Sequence, residues 1–547
     1  MRQLLAIMSV CLTAGLCFAG ATLYVDDNAP NDPGPGDPLV SDPAEDGSEA
    51  HPFDAVQQAI DAAISGDEVI ILPGTYTGEG NRDIDFKGKA ITVRGTNPDD
   101  PNIVAATVID CHGTQTDPHR GFYFHSGETT NSLLKGLTVA NGCGLAEADV
   151  FGPNSGTYVV GGGILLRQSS PLIEGLLIQN CVAGRGAGLF ATTSQVYLKG
   201  CEISTNSASE SGGGLYVYEG NMVVDGCSIL NNSATINAGG GNLQKTAISM
   251  KRCIISGNRS RVAGGFYIYE SQIALESITV SANVADTSGG GIFLFLPFSQ
   301  ANLRKCLFSG NYSKSSGGAI EIQSGMANFS NCTIAGNRAA VLGGGIYAEA
   351  GEPFGSSIRL ENSIVWGNRA ARGNQIACET SDEGFSHGYG ELWYSDIQGG
   401  MAGTFGWVRL KDGTIDADPL FAEPGRWDDG GTPTDWSDDT WIYGDYHLKS
   451  YAGRWDSAQE QWVMDSVHSP CIDAGDPLSD FSAEPAYNGG RVNMGAYGNS
   501  EYASKTPDCP ARPVGDLDED CKVTFADLAL FAATWLDCNL DPPIACE

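Results

Sequence analysis

The sequence is poor in positive charge. It contains 31 Lys and Arg residues against 66 Asp and Glu residues, which gives a formal net charge of −35. Such a surplus of negative charge disfavours binding to the phosphate backbone of nucleic acids and to anionic membrane surfaces. Nucleic acid is therefore not expected as a partner.

Long apolar runs are missing after residue 21. No later stretch approaches the roughly 18 consecutive apolar residues that a membrane-spanning helix needs. The early apolar run, residues 4–16, follows Arg2 and leads to the small residues Ala19, Gly20 and Ala21, which is typical of a secretory signal peptide. Residues 1–21 are therefore predicted to be a signal peptide, and the protein is expected to be secreted or held at a cell surface.

What the sequence has is glycine and a repeat. Its 72 glycines and 41% hydrophobic residues favour many tight turns between short strands, with enough apolar material for a large core. Asparagines recur in one register with successive differences of 39, 26, 26, 26, 25, 28, 26 and 31 residues. They are Asn141, Asn180, Asn206, Asn232, Asn258, Asn283, Asn311, Asn337 and Asn368.

Each repeat has the pattern of short strands joined at glycine clusters. Alternating apolar positions start five residues before the Asn, at Cys201, Cys227, Cys253, Ile278, Cys306 and Cys332. A glycine cluster such as residues 212–214 then precedes a second strand such as residues 215–218. A unit of about 26 residues cannot bury its own apolar face, so the units must stack. This predicts an all-β fold, a right-handed parallel β-helix, which is a solenoid.

The two recurring columns have structural interpretations. Inward cysteines on successive coils pack as small hydrophobic side chains, which predicts no redox or metal role for them. The asparagines are expected to form hydrogen bonds from coil to coil at a turn, because Asn tolerates the left-handed conformation.

Two resemblances follow from these motifs. Residues 308–311 (Phe-Ser-Gly-Asn) and 317–320 (Gly-Gly-Ala-Ile) resemble the repeats of polymorphic outer-membrane proteins. Roughly residues 22–500 as a whole resemble the secreted pectate-lyase-like β-helix proteins, which implies a polysaccharide as partner. That group contains both polysaccharide-cleaving enzymes and members without shown activity.

The flanks of the repeat predict further regions. Residues 22–50, rich in Pro and Asp, are interpreted as an extended lead-in, and residues 51–384 as the β-helix with an N-terminal helical cap at residues 53–64. The first strand is predicted at residues 69–72. Residues 385–500, where the period is lost, are predicted to form irregular closing coils. Residues 501–547 form a separate C-terminal module.

The C-terminal module has the spacing of a calcium loop. Asp516, Asp518, Asp520 and Asp527 occupy loop positions 1, 3, 5 and 12, and Lys522 offers its backbone carbonyl at position 7. Apolar residues at helical spacing follow, so the module resembles a single dockerin type I repeat, a small α module. The resemblance implies calcium as cofactor and a cell-surface or scaffold partner. Cys521 replaces the expected glycine and only one loop is present, so a calcium knob held by disulfides remains the alternative.

That alternative rests on four cysteines crowded into the module. They are Cys509, Cys521, Cys538 and Cys546.

Aromatic residues recur at outward positions of the strands that follow the glycine clusters. Stacked coils lie about 4.8 Å apart, close to the length of a sugar unit, so an aromatic stripe offers stacking platforms for a glycan. The alternative is that residues 385–500 or a long loop cover the stripe. The predicted substrate-binding residues are Phe190, Tyr216, Tyr218, Tyr267, Tyr269, Phe293 and Tyr347.

The same pattern predicts four ionisable residues in these rows. Glu321 and Glu349 are one coil apart and offset by two positions, which places them roughly 8 Å from each other and suits an inverting glycosidase. Arg167 and Lys245 are the candidate bases of a lyase. The sequence therefore favours a secreted polysaccharide-binding protein that acts as a polysaccharide lyase or a glycoside hydrolase. A non-catalytic, adhesin-like surface protein is the alternative.

Overall fold

The structure is a computed structural model. It describes residues 20–533 except residues 35, 38, 350–354, 380–386, 433–435, 437, 487, 508–513, 516 and 518–522. The chain forms a parallel β-solenoid of about 13 turns, as the repeat predicts. Three sheets, here named sheets 1, 2 and 3, form its walls, and their strands pair in parallel except for one antiparallel pair in sheet 3.

Sheet 1 has 22 strands in the described part of the chain, because most coils contribute two strands to it. The strands are Thr22–Val25, Glu68–Ile71, Thr92–Gly95, Phe122–Phe124, Leu133–Lys135, Ile164–Arg167, Leu172–Glu174, Leu189–Lys199, Leu215–Asp225, Gly241–Lys251, Phe266–Tyr269, Gln272–Glu276, Ile292–Phe295, Gln300–Arg304, Ile320–Gln323, Gly325–Ser330, Ile346–Glu349, Ser356–Glu361, Ile376–Cys378, Tyr389–Trp393, Thr404–Gly406 and Val408–Leu410. A residue with positive φ, such as Lys245 (52°) or Glu270 (47°), bends several coils between their two segments.

Sheets 2 and 3 complete each coil and have 12 and 9 strands among the described residues. Sheet 2 consists of Gly74–Tyr76, Thr107–Asp110, Thr138–Ala140, Leu177–Gln179, Glu202–Ser204, Ser228–Leu230, Ile254–Ser256, Thr279–Ser281, Leu307–Ser309, Thr333–Ala335, Ile364–Trp366 and Asp396–Ile397. Sheet 3 consists of Leu145–Ala148, Thr157–Val160, Val182–Arg185, Ser207–Ser211, Ser233–Ala234, Arg259–Val262, Val284–Ser288, Tyr312–Ser313 and Arg338–Ala339.

The core lies between the sheets and is built by alternation along each strand. Leu215, Phe266, Ile292 and Ile346, which the glycine pattern predicts to face inward, are all buried in one continuous hydrophobic cluster. Burying each such side chain contributes roughly 1.5–3 kcal/mol. The predicted cysteine column is part of the same cluster, and its cysteines are free thiols.

The asparagine column is a buried hydrogen-bonded ladder from Asn206 to Asn368. In its interior, the Nδ2 of Asn232 donates to the Oδ1 of Asn258 (3.0 Å), whose Nδ2 donates to the Oδ1 of Asn283 (2.9 Å). The left-handed residue is the one before each ladder Asn, for example Asn231 (φ 54°) or Gly257 (φ 67°), and not the Asn itself. The predicted hydrogen bonding is confirmed, while its conformational reason is wrong by one position.

The first two asparagines do not belong to the ladder. Gln179 pairs with Ser204 in sheet 2, so Asn180 lies beside Thr205 and one position away from the Asn206 register. Asn180 and Asn141 themselves have positive φ, of 55° and 56°. The assignment of all nine asparagines to one register was therefore wrong for these two.

The solenoid begins earlier than the sequence predicts. Strand Thr22–Val25 pairs in parallel with Glu68–Ile71, so the first strand lies within residues 22–50, which were interpreted as a lead-in. Helix Val56–Ala62 follows and buries Val56, Ala59 and Ile60. Its role as an N-terminal cap stays a prediction. A second short helix spans Pro101–Ala106.

The solenoid also ends later than predicted. Regular strands of sheet 1 continue to Val408–Leu410, so the change to irregular coils at residue 385 was placed too early. Three antiparallel strand pairs follow the last regular strand. The other described elements are a 3-10 helix, Gly400–Gly403, and helix Phe525–Ala533. The pairs are Phe421–Glu423 with Asp445–Leu448, Arg426–Asp428 with Thr440–Ile442, and Arg454–Asp456 with Gln461–Val463. In the described part of the chain no helix is long and apolar enough to cross a membrane.

Candidate functional site

Two outward rows of side chains run along sheet 1, and the strand register defines both. The first row, here the outer ladder, consists of Tyr123, Leu165, Phe190, Tyr216, Asn242, Tyr267, Phe293, Glu321, Tyr347, Ala377 and Phe405. The second row, two residues further along each strand, consists of Arg167, Thr192, Tyr218, Gln244, Tyr269, Phe295, Gln323 and Glu349.

The N-terminal part of the outer ladder is covered. Strands Leu145–Ala148 and Thr157–Val160 pair antiparallel, and the connection between them places Phe151 over the ladder. The Phe151 ring contacts Phe190 and Tyr216 at centroid distances of 5.9 and 5.7 Å, and Tyr218 at 5.0 Å. Phe190 and Tyr216 are buried in this cluster. Their predicted place on an open glycan platform is therefore wrong, because a long loop covers them.

Residues beyond 410 lie against a different wall of the solenoid. Trp441, Tyr446 and Phe421 form a second hydrophobic cluster with Ala335 and Ile364 of sheet 2. The hydroxyl of Tyr443 contacts the hydroxyl of Ser256, also in sheet 2, at 2.8 Å. The C-terminal region packs on sheet 2. The outer ladder near Tyr267, on sheet 1, lies in a groove.

That groove has a volume of about 390 Å³ and is open to solvent. Tyr267 and Phe293 from the outer ladder stack in parallel at 5.1 Å, and Tyr269 and Phe295 from the second row stack at 5.0 Å. Phe293 is only 7% exposed, so its predicted role as an open stacking platform is wrong, and it supports the half-buried Tyr267 ring instead. The groove is lined by Asn237, Val262, Tyr267, Ser288, Phe293, Glu321, Gln323 and Glu349. Four residues that the sequence predicts for binding or catalysis thus come together here.

Glu321 is the electrostatically unusual group of the groove. Its side chain is only 4% exposed, and its Oε2 atom is buried without a hydrogen-bond partner. Burial, followed by the charge of Glu349, raises the pKa of Glu321 well above its usual value of 4.5, although Ser288 and the Gly289 backbone hydrogen-bond it and lower the pKa. The groove therefore holds a carboxyl group that tends to keep its proton.

Glu349 is the second carboxyl group, and the register places it one coil above Glu321 and two positions along the strand. Burial and then the charge of Glu379 raise the pKa of Glu349, while a hydrogen bond with Gln323 lowers it. The neighbouring Tyr347 is buried, packs with Leu342 and Ala377, and donates its hydroxyl to Glu379. Tyr347 therefore holds a carboxylate, and its predicted role as an open stacking platform is wrong.

The two candidate lyase bases lie apart from this groove and from each other. Arg167 and Gln244 are separated by three coil steps in the second row, which is roughly 14 Å at the spacing of paired strands. Lys245 is not in either row, because it is the bend residue after Gln244. Its Nζ lies 3.5 Å from the Tyr218 hydroxyl, whereas Arg167 lies 3.9 Å from Glu147.

A larger groove of about 990 Å³ lies over the other segment of sheet 1. Its polar lining consists of amides and hydroxyls such as Gln195, Asn221, Gln272 and Asn302. Among the described residues that line it there is no Asp, Glu, His, Lys or Arg, whereas the described lining of the smaller groove includes Glu321 and Glu349.

Sequence reasoning missed Gln323, Ser288 and Glu379. The position of Glu379 follows from the strand register. Gln323 pairs with Glu349, and Ile346 pairs with Ile376 in the next coil, so the second row continues towards Glu379. The asparagine repeat ends at Asn368, before this coil.

Most of the predicted calcium ligands, Asp516, Asp518, Asp520 and Lys522, lie outside the described residues, as do Cys509, Cys521, Cys538 and Cys546. The remaining ligand, Asp527, lies in helix Phe525–Ala533 and is buried. Its two carboxylate oxygens accept hydrogen bonds from the backbone N–H of Leu517 and of Thr524, each at 2.6 Å. Calcium binding by this loop stays a prediction.

Comparisons with known families agree on the architecture. The family described as right handed beta helix region matches residues 151–308, and the Chlamydia polymorphic membrane protein repeat matches residues 305–323 and 331–349. The family described as disaggregatase related matches residues 396–475. No curated protein matches the chain.

Similar solved structures include pectate lyase Pel9A, at 14% identity and a TM-score of 0.40, covering 87% of this chain and 96% of that one. XylC in complex with xylose has 11% identity and a TM-score of 0.38, covering 74% and 87%. The A-module of the Azotobacter vinelandii mannuronan C-5 epimerase AlgE4 has 14% identity and a TM-score of 0.31, covering 72% and 96%.

Similarities of this size do not specify a reaction. The stacked parallel sheets and the family match together identify the solenoid as a right-handed parallel β-helix, and the polymorphic-protein-type repeats are confirmed.

Proposed function

We propose that this protein is a secreted or surface-held β-helix that binds a polysaccharide in the Glu321 groove and hydrolyses it. The observation that carries the proposal is a buried carboxyl group with an unpartnered oxygen, Glu321, beside the stacked rings of Tyr267 and Phe293 in an open groove. Carbohydrate sites combine aromatic faces for the sugar ring with a few placed polar groups.

In this proposal Glu321 is the general acid. Its raised pKa keeps a proton available, which it donates to the oxygen of the glycosidic bond as the bond to the sugar carbon breaks. Glu349 is the general base, which takes a proton from the water that attacks the same carbon. Strand geometry separates the two positions by roughly 8 Å, which leaves room for that water and corresponds to inversion of configuration.

Binding involves the half-buried rings of Tyr267 and Tyr269. Each stacks on a Phe of the next coil, so the platform extends along the solenoid axis, as a glycan chain would. Gln323 and Asn237 add amide groups for sugar hydroxyls. The dockerin-like loop would hold calcium and attach the protein to a cell surface or scaffold partner.

Hydrolysis is favoured over lyase chemistry by the position of the charged groups. The candidate lyase bases Arg167 and Lys245 are roughly three coils apart, and Arg167 already faces Glu147. The remaining alternative is a non-catalytic surface protein, which predicts neither cleavage nor a role for Glu321.

The test is a screen of the purified protein, with and without calcium, against a panel of polysaccharides. Reducing ends, unsaturated uronide absorbance and retention in affinity gels are read in parallel. We expect reducing ends without unsaturated product, and a loss of about a hundredfold or more in Glu321→Gln and Glu349→Gln. Glu202→Gln, at an exposed carboxylate on sheet 2, is the matched control.

Each other outcome contradicts part of the proposal. Unsaturated product would establish a lyase and direct attention to Arg167 and Lys245. Retention without cleavage would leave a glycan-binding protein, and neither retention nor product would favour the structural surface protein.

A further inference from the structure

The larger groove of sheet 1, here the amide groove, lies over the strand segments that follow the bend in each coil. Its volume of about 990 Å³ reaches the upper end of the range of ligand sites, which is roughly 300–1,000 Å³. The Glu321 groove lies over the other segments of the sheet, so the proposed hydrolysis does not use the amide groove.

Two outward rows of side chains form the floor of the amide groove. Ala247, Ser249 and Ala274 have the smallest side chains in these rows, and they lie on two adjacent coils. Larger side chains lie on the coils before and after them, so the small residues form a depression in the floor. The rows consist of Gln195, Asn221, Ala247 and Gln272, and, two residues further along each strand, of Tyr197, Val223, Ser249, Ala274 and Asn302.

One wall of the amide groove comes from an insertion at the bend. Residues 270–271 connect the two segments in one coil, whereas residues 296–299 connect them in the next, which is two residues more. Pro297 and Phe298 of this longer connection line the groove, and Phe298 is 83% exposed. The connection therefore rises beside the depression and gives the groove its depth.

The polar groups of the amide groove suit sugar hydroxyls. Asn221, Gln272 and Gln300 are exposed, and within the described residues their side-chain amides make no hydrogen bond. An amide both donates and accepts hydrogen bonds, as a hydroxyl does. The apolar side chains of Val223 and Met326, each 43% exposed, add contact surface for the C–H faces of sugar rings.

The charges beside the amide groove are neutralised in pairs. The Nζ of Lys199 lies 3.1 Å from Glu174, and the Nζ of Lys251 lies 2.9 Å from Glu276. The described lining itself has no cation, and the whole chain has a net charge of −35. An acidic polysaccharide would therefore find no counter-charge here and would be repelled by the protein as a whole.

We propose that the amide groove binds a neutral polysaccharide and takes no part in its cleavage. Paired strands lie about 4.8 Å apart, close to the length of a sugar unit, so successive units of a chain along the solenoid axis meet amides of successive coils. The described lining offers no acid or base, which makes the groove a holding site. It is independent of the Glu321 groove, and it would bind a neutral chain whether or not Glu321 cleaves one.

The test uses affinity gel electrophoresis of the full-length protein. Galactomannan, arabinoxylan and hydroxyethylcellulose are the neutral probes, and polygalacturonate and alginate are the acidic ones. Gln272→Ala/Asn302→Ala removes two amides, and Ala247→Met/Ala274→Met fills the depression without adding charge. Gln179→Ala is the matched control, because it removes a half-buried outward amide from sheet 2.

We expect retention of the wild type in at least one neutral gel, and a loss of about tenfold in affinity for that probe in both double variants. Gln179→Ala should bind as the wild type does. The unfolding midpoints should agree among all these proteins, since every substituted side chain is exposed or half-buried. Migration in the acidic gels should be the same for all of them.

Two results would overturn the proposal. One is the absence of retention of the wild type in every neutral gel, and the other is retention that both double variants leave unchanged.

Cleavage separates this site from the Glu321 groove. Both double variants should release reducing ends from short soluble oligosaccharides as the wild type does, whereas Glu321→Gln should not. If the wild type is retained but cleaves nothing, the proposed hydrolysis fails while binding in the amide groove stands. If cleavage of the short oligosaccharides falls together with retention in the double variants, the amide groove is not a separate holding site.

Discussion

The outer ladder differs between its two ends. At Phe190 and Tyr216 the aromatic rings are buried beneath Phe151, whereas three coils beyond Phe190 the half-buried ring of Tyr267 lines an open groove with Glu321. Both ends come from the same position of the repeat. The difference arises from the connection between coils. The interval from Asn141 to Asn180 is 39 residues, whereas Asn206, Asn232 and Asn258 follow one another at intervals of 26, and the extra residues form the covering loop.

A repeat therefore defines the direction of a side chain but not its exposure. Exposure depends on insertions, which vary from coil to coil. The same division applies to the asparagines, since Asn206 and its successors form a buried ladder while Asn180 lies outside it.

The largest effect is expected from breaking the ladder where it is regular. Asn258→Ala removes the acceptor of the Asn232 backbone N–H and Nδ2, and it removes the donor to the Ile229 carbonyl. These buried groups then lack partners, which should cost about 2–4 kcal/mol of unfolding free energy. Asn180→Gly, outside the ladder and exposed, keeps the left-handed conformation of this position and should change it by less than about 1 kcal/mol. Urea unfolding measures both, and equal losses would contradict the two registers.

The next effect concerns the cover. Phe151→Ala removes the ring that packs on Phe190, Tyr216 and Tyr218, and it should cost about 2 kcal/mol of unfolding free energy. Phe298→Ala is the control, because Phe298 is 83% exposed. If the two variants unfold alike, the covering loop does not stabilise the N-terminal coils.

A smaller effect is expected on binding at the open end. Tyr267→Ala removes a stacking face and should weaken retention on the bound polysaccharide about tenfold, with little change in the unfolding free energy. Tyr216→Phe, under the cover, should leave retention unchanged. Affinity gel electrophoresis measures both, and a loss in Tyr216→Phe alone would reverse the assignment of open and covered ends.

The smallest effect is a dependence of stability on pH. Burial raises the Glu321 pKa in the folded protein, so the unfolded chain loses this proton first as the pH rises above about 4.5, and the folded state is progressively destabilised. Glu321→Gln removes that penalty and should be more stable than the wild type by about 1 kcal/mol near neutral pH, but not at pH 4. Urea unfolding over this pH range tests it. A constant difference would contradict the raised pKa.

Periodicity predicted much of the architecture. The inward residues Leu215, Phe266, Ile292 and Ile346, the cysteine column and the ladder from Asn206 follow from alternation and repeat length, which are local properties of the sequence. The cover over Phe190 did not follow, because the packing of a loop on a distant coil has no periodic signal. The 39-residue interval marked where the extra chain lay, but not what it would contact.

The candidate site was predictable in part. The offset of Glu349 from Glu321 follows from strand register, and the structure has that register. The burial of Tyr347 beside Glu379, and the position of Lys245 at a bend, depended on where each coil turns. Turn positions are set by residues with positive φ that include Lys, Glu and Ala as well as Gly, so composition does not reveal them.

The most direct test of the central claim is the dependence of Glu321→Gln on the leaving group. A polysaccharide needs a proton on its departing oxygen, whereas a dinitrophenyl glycoside of the same sugar leaves without one. We expect a loss of about a hundredfold or more on the polysaccharide and little loss on the dinitrophenyl glycoside. An equal loss on both substrates, or no loss on either, would contradict the assignment of Glu321 as the general acid of this groove.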